Sequence, residues 1–237
     1  MYLKSLYANN IANSIDDVKL LWRLACILMS KQRSPVIIQK ADYREYAVPH
    51  DFSTLYSQWS KDINDSSDNR LKALELYCGS VSQVINNYLR GIYKKCAYQD
   101  VLQTMQSLLQ SSPCLPNNTI LYRAIPHYVL EHMISAMKNC GIFQEKGFLS
   151  TSLNLNGIAH IQPDLMGEIR FVLKIYVPKG VHAVYVDDIK ASSMGRGELE
   201  VILPRDSIIQ ISRIPYKDKR FGYWVFESVL EYSKKRI

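Results

Sequence analysis

The chain has 237 residues, 47% of them hydrophobic, and a formal net charge of +7. That is enough apolar material for one large domain or two small ones with a substantial core. The positive excess is diffuse: it favours anionic partners, but Lys and Arg do not gather in one element as a nucleic-acid footprint would.

The start, "MYLKSLYANNIANS", lacks the apolar region of a secretory signal. The longest apolar stretch, Leu20 to Met29, is too short to span a bilayer and carries Arg23. The five cysteines are odd in number and show no CxxC spacing, which points to reduced thiols and away from a disulfide framework or a zinc site. The expectation is a soluble protein, without a metal, that acts in the cytoplasm.

Residues 1–112 read as mainly helical. Ser14, Asp16 and Asp17 resemble an N-cap with an acidic first turn, and Leu20, Leu21, Leu24, Ile27 and Leu28 follow at helical spacing. Residues 41–59 have no clear period, and Ser60–Asn69 reads as a loop. Helical patterns cover Leu71–Tyr77, Val81–Tyr93 and Tyr98–Leu109, interrupted at Gly79 and Gly91. "SSPCLPNN", Ser111 to Asn118, punctuates the chain.

Residues 119–232 are β-rich. Strands are expected at Thr119–Ala124, Gly147–Leu153, Glu168–Val177, Val181–Val186, Glu198–Leu203, Ile208–Ile214 and Gly222–Leu230. One helix interrupts them, opened by Pro126 at its first position and closed by Gly141. A helical half followed by a run of strands predicts an α+β fold, a helical N-terminal part packed on two antiparallel β-sheets, as one domain over residues 1–237.

Four stretches carry candidate chemistry. In "GELEV" strand alternation puts Glu198 and Glu200 on one face, roughly 6–7 Å apart for a rise of about 3.3 Å per residue, and Leu199, Val201 and Leu203 on the other. A solvated strand face explains the acids; so does a cleft where they serve substitution at a sugar carbon through an oxocarbenium-like state. In "TILYRAIP" Arg123 lies in an apolar strand and needs an anion, either internal or a phosphate. In "GFLSTSLN" Ser150 and Ser152 share one face, and Leu149, Thr151 and Leu153 the other. In "VINNYLRG" Asn86 and Arg90 share a helix face, exposed to water or set over a nucleotide.

In this order the four stretches resemble the Arg/Ser-Thr-Ser/Glu class of mono-ADP-ribosyltransferases, in its toxin-exoenzyme branch with a Glu-x-Glu motif. The resemblance covers about residues 70 to 214 and implies an NAD-binding cleft between the sheets. It implies that Arg123 holds NAD phosphate, that Ala124 stands where the family usually has glycine, and that Ser150, Thr151 and Ser152 shape the nicotinamide pocket. Ser150 would orient Glu200, which would bind the nicotinamide ribose and stabilise the oxocarbenium state. Glu198 would select the acceptor, a glutamate there being associated with arginine. Tyr77, Asn86 and Arg90 would cover the dinucleotide, with Arg170 a candidate second phosphate ligand. Asp187 to Gly197 corresponds to the acceptor-recognition turn, here without an aromatic residue.

The implied activity is transfer of ADP-ribose from NAD to an arginine of a protein, with release of nicotinamide. Candidate acceptors are actin, a small GTPase or another host protein. The alternatives are an NAD glycohydrolase without a protein acceptor and a non-enzymatic basic binding domain. The length leaves room for one catalytic domain with a helical part. That suggests injection into a host cell, or action inside the producing or infected cell.

Overall fold

The computed structural model of the chain describes residues 39–65, 69–136, 141–160, 171–189, 197–212 and 215–231, together with Lys19 and Arg23. The helical pattern read at Leu20–Leu28, the centre of the recognition turn at 190–196 and Arg170 lie outside them.

Among the described residues five α-helices form the first layer: α1 (Pro49–Ser53), α2 (Ser57–Asn64), α3 (Asn69–Leu76), α4 (Ser82–Leu89) and α5 (Gln99–Ser111). Helix α5 buries Val101, Leu102, Met105, Leu108 and Leu109, the recurrence of one helical stripe. The polar segment from Ser60, expected as a loop, instead carries α2 on to Asn64. Ser60 and Ile63, three apart, are buried on one side while the polar residues face out, so two anchoring positions suffice for the last turn.

Gly79 does not separate two helices by a loop. Tyr77–Val81 forms a wider π-type turn between α3 and α4, with Gly79 at φ −91 and ψ −138. Helix α4 ends in a Schellman arrangement. Gly91, at φ +80, donates its N–H to Tyr88 O at 2.9 Å, and Ile92 N–H reaches Asn87 O at 2.8 Å. That stop leaves Arg90 at the helix terminus.

The strands are β1 (Thr119–Ile125), β2 (Ile142–Glu145), β3 (Leu149–Ser152), β4 (Phe171–Val177), β5 (Val184–Tyr185), β6 (Glu200–Leu203), β7 (Ser207–Ile211), β8 (Tyr216–Lys217) and β9 (Trp224–Glu231). Two short helices lie among them, α6 (His127–Ala136) and α7 (Leu155–His160). Strands β2 and β8 are absent from the sequence expectation, and α7 fills a stretch left without an element.

The α+β class holds, but the sheet arrangement differs from two antiparallel sheets. Among the described residues the strands form one hydrogen-bonded path, β2-β7-β9-β4-β1-β3-β6-β5, with β8 on β9. Strands β4 and β9 run parallel. β1 pairs with β4 from Thr119 to Ile125 but meets β3 only at Tyr122 and Ser152. The two portions of sheet are therefore joined at a single paired position, and the candidate site lies beside it.

Two main cores flank this path. Leu121, Ile125, Leu149, Val201, Leu203 and Phe226 belong to the larger core, with Phe52 and Tyr56 of the helical layer. Phe148, just before β3, and Ile202 of β6 lie in the helical core with Tyr77, Ile85, Met105 and Leu108. A smaller cluster covers the other face of β1.

Candidate active site

Arg123, Ser150 and Glu200 come from the neighbouring strands β1, β3 and β6. Ser152 pairs with Glu200 in register, so Ser150 and Glu200 are diagonal neighbours on one face, the face turned to the helical layer. The Ser150 hydroxyl donates a short hydrogen bond to Glu200 Oε1. Arg123 Nη1 donates to Ser150 O at 3.0 Å. The Cys78 thiol, from the π-type turn, also donates to the Glu200 carboxylate. Burial raises the Glu200 carboxyl above its ordinary range. The bonds from Ser150 and Cys78 pull it down, Asp187 pushes it up, and the Arg123 charge lowers it. Burial, and then the Glu200 charge, keep the Cys78 thiol protonated.

Glu198 does not lie on a strand. β6 begins at Glu200, and Leu199 takes φ +54, so simple alternation does not set the separation of the two acids. The cause is Asp187. Its carboxylate accepts the N–H of Glu200 at 3.1 Å and of Gly197 at 3.4 Å, together with that of Leu199. On the other side the Ser152 hydroxyl lies 2.7 Å from Glu198 O, and Leu153 N–H meets Leu199 O at 3.1 Å. Leu199 still packs on the larger core with Val201 and Leu203. The Glu198 carboxyl is pushed up to about 7 by burial, then by the charges of Glu200 and Asp187.

The remaining residues of β1 and β3 are built into the frame. Thr151 Oγ1 donates to Val201 O at 2.6 Å on the opposite face from Ser150. Ser152 is buried beneath the Glu198 turn. Ala124 is buried with Ile158 and Tyr176. Gly157 of α7 approaches so closely that an added Cβ would stand 2.1 Å from Ser152 Oγ and 2.3 Å from Glu198 O.

The helical residues form a second group. Asn86 is buried, not solvated: its Nδ2 donates to Tyr77 OH at 3.1 Å and its Oδ1 accepts Phe148 N–H at 2.9 Å. Tyr77 is buried edge-on to Phe148. Arg90 grips Glu145 with two parallel bonds, Nε to Oε1 at 2.9 Å and Nη2 to Oε2 at 3.0 Å. Arg123 Nη2 lies 3.9 Å from the same Glu145 Oε2. Burial pushes the Glu145 carboxyl up, but the charge of Arg123, the bond and charge of Arg90 and the Gly147 N–H outweigh it and hold it below its ordinary range.

The structure thus brings Arg123, Ser150, Glu198 and Glu200 together, with Arg90, Tyr77 and Asn86 beside them. Cys78 and Glu145 are additions that sequence reasoning had not singled out, and Asp187, named there only as the start of the recognition turn, anchors the Glu198 turn. An open depression of about 440 Å³ beside α2, lined by Ser53, Ser60, Asn64 and Asp188 among others, includes none of the expected residues. Among the described residues no group of three His, Cys, Asp or Glu side chains could hold a metal, and no helix is long and apolar enough to cross a membrane.

The family model for the ADP-ribosyltransferase exoenzyme matches residues 53–229. The chain belongs to this family. Transfer of ADP-ribose from NAD is accordingly the activity of this exoenzyme, and NAD is its substrate. A search of curated proteins finds no match. Among solved structures the exoenzyme is similar to C3stau2 from S. aureus with NAD, at 19% identity and a TM-score of 0.62, over 81% of this chain and 100% of that one. It is similar to the Clostridium limosum C3 exoenzyme, at 19% identity and a TM-score of 0.57, over 80% and 98%. It also resembles Plx2a, an ADP-ribosyltransferase toxin from Paenibacillus larvae, at 23% identity and a TM-score of 0.58, over 78% and 95%. At these identities the likeness speaks for the fold. The donor set suits the substrate: guanidinium groups match a diphosphate, and a hydroxyl-braced carboxylate matches ribose hydroxyls.

Proposed function

We propose that the exoenzyme transfers ADP-ribose from NAD to an arginine side chain of a host protein such as actin or a small GTPase, in the cytoplasm of a cell into which it is delivered. One observation carries the arginine reading: the Glu198 carboxyl, pushed up to about 7, sits on the turn that leads into Glu200. A guanidinium is protonated up to a pKa of about 12 and attacks poorly until it gives up a proton. A carboxylate whose basicity reaches neutrality is a better acceptor for that proton than an ordinary glutamate.

In this reading Arg123 holds the diphosphate, with Arg90, Tyr77 and Asn86 around the dinucleotide; Ser150 lies beside the nicotinamide, and Thr151 and Ser152 shape its pocket from within the frame. Ser150 aims Glu200 at the nicotinamide ribose, where its charge stabilises the sugar as positive charge develops. The bond from the ribose C1′ to nicotinamide breaks, and its electron pair leaves on neutral nicotinamide, so no general acid is needed. An arginine nitrogen bonds to C1′ while Glu198 takes its proton. Ala124 has its methyl in the apolar cluster behind β1, which supports a structural part for it.

The test combines labelled NAD, cell lysate and mapping of the modified residue with two variants. Glu200→Gln should lose nicotinamide release by about a hundredfold or more. Glu198→Gln should lose transfer by about a hundredfold while NAD cleavage falls no more than about threefold. Label on asparagine, glutamine or cysteine would overturn the arginine acceptor. Equal loss of both activities in Glu198→Gln would overturn the division of labour between the two acids. Sustained NAD cleavage with no labelled protein would favour a glycohydrolase.

A further inference from the structure

Glu145 is a buried carboxylate at the site without a role in the steps above. Its oxygens are fully engaged. Oε1 accepts from Arg90 Nε and from Gly147 N, both at 2.9 Å; Oε2 accepts from Arg90 Nη2 at 3.0 Å and lies 3.9 Å from Arg123 Nη2. Arg90 ends α4 in the helical layer, Arg123 sits on β1, and Glu145 ends β2. One carboxylate therefore ties the helical layer to two strands at the edge of the site.

Two guanidinium groups so close would repel each other and swing apart without an anion between them. The bidentate edge of Arg90, the edge best suited to a phosphate, is taken by Glu145. We propose that Glu145 is a positioning residue for NAD: it holds Arg123 at the orientation a diphosphate requires, and Arg90 acts on NAD through Glu145. The proposal rests on the reading that Arg123 is a phosphate ligand. Glu145 and its two arginines together keep one net positive charge toward the incoming dianionic diphosphate. Because the carboxyl lies below its ordinary range, this arrangement is charged throughout neutral pH.

The experiment measures the NAD dissociation constant by calorimetry, and kcat and KM for nicotinamide release, in Glu145→Gln, Arg90→Gln and the double variant. Each single change should raise Kd and KM about tenfold and leave kcat within about twofold. The double variant should be no weaker than the weaker single, because both break one relay. Additive losses would show Arg90 touching NAD directly and overturn the relay. Unchanged or tighter NAD binding in Glu145→Gln would overturn positioning and make Glu145 a bystander or a competitor of the diphosphate. If Glu145→Gln does not fold, Glu145→Asp keeps the charge on an arm one methylene shorter; it too must raise KM and spare kcat, and a normal KM would overturn the proposal. Arg123→Lys separates the underlying reading from this one: NAD affinity unmoved there would remove Arg123 from the phosphates whatever Glu145 does.

Discussion

Leu199 adopts φ +54 between the two acids, a conformation that costs a residue with a side chain about 1–2 kcal/mol. It persists because Asp187 collects the N–H groups on one side of the turn while Ser152 and Leu153 hold carbonyls on the other. Glu198 is thereby kept half-buried beside Glu200 and Asp187, and its proton affinity rises to about 7. The sign of the consequence differs for stability and for activity. Because the folded carboxyl binds its proton more tightly than an unfolded glutamate, its stabilising contribution is complete below about 4.5 and is lost as pH rises through about 7. In the proposed mechanism transfer needs the ionised form of Glu198, so its rate should climb through an apparent pKa near 7, while NAD cleavage without an acceptor should lack that limb. Parallel pH profiles of transfer and of nicotinamide release check this; an identical limb in both would place the titration elsewhere.

At the scale of elements, α7 is pressed against the turn that carries Glu198. Asn154 caps it by accepting the N–H of Asn156 at 3.0 Å and of Gly157 at 3.1 Å, and Gly157 has no room for a side chain against Ser152 and Glu198. Gly157→Ala should push backbone away from backbone, lowering stability by about 1–3 kcal/mol and transfer more than NAD cleavage. Thermal unfolding and the ratio of the two activities read it, and a variant with both unchanged would contradict the close approach. Much of this level was legible beforehand. The punctuation at "SSPCLPNN" separates the helical part from the strands, and the alternation in "LSTSL" and "VIL" sends Leu149, Leu153, Val201 and Leu203 into one core. The rest needed partners far away in the chain. Alternation could not foresee Leu199, because the bend is imposed by Asp187. Glu145 looked like one more charge in "QEKG", since the arginine that grips it lies 55 positions earlier. Asn86 has the composition of a solvated helix face and is buried only because Tyr77 and Phe148 fold onto it. Strand β2 puts the charged Glu145 at a buried position, which breaks its apolar alternation, and β8 has only two residues.

At the scale of the whole molecule, Trp59 packs against both the larger core and the helical core, and among the described residues no other partly buried hydrophobic side chain does so. Its removal should loosen the helical layer from the sheet. Trp59→Ala should cost about 2–3 kcal/mol in urea unfolding, somewhat below the range for a fully enclosed aromatic because Trp59 is half-buried. A loss under about 1 kcal/mol would mean the two cores hold together without it. The sheet path carries another implication. Strand β9 follows every other described strand in sequence, yet it is an interior strand, flanked by β7 and β4. Until residues 224–231 are made, the paired β2 and β7 have nothing to dock on and β4 presents a bare apolar margin. Closure of the sheet thus waits for this strand, with long-range contacts that form slowly. A protease that removed this strand would cut β2 and β7 off from the β4–β1–β3–β6 portion that carries Arg123, Ser150 and Glu200.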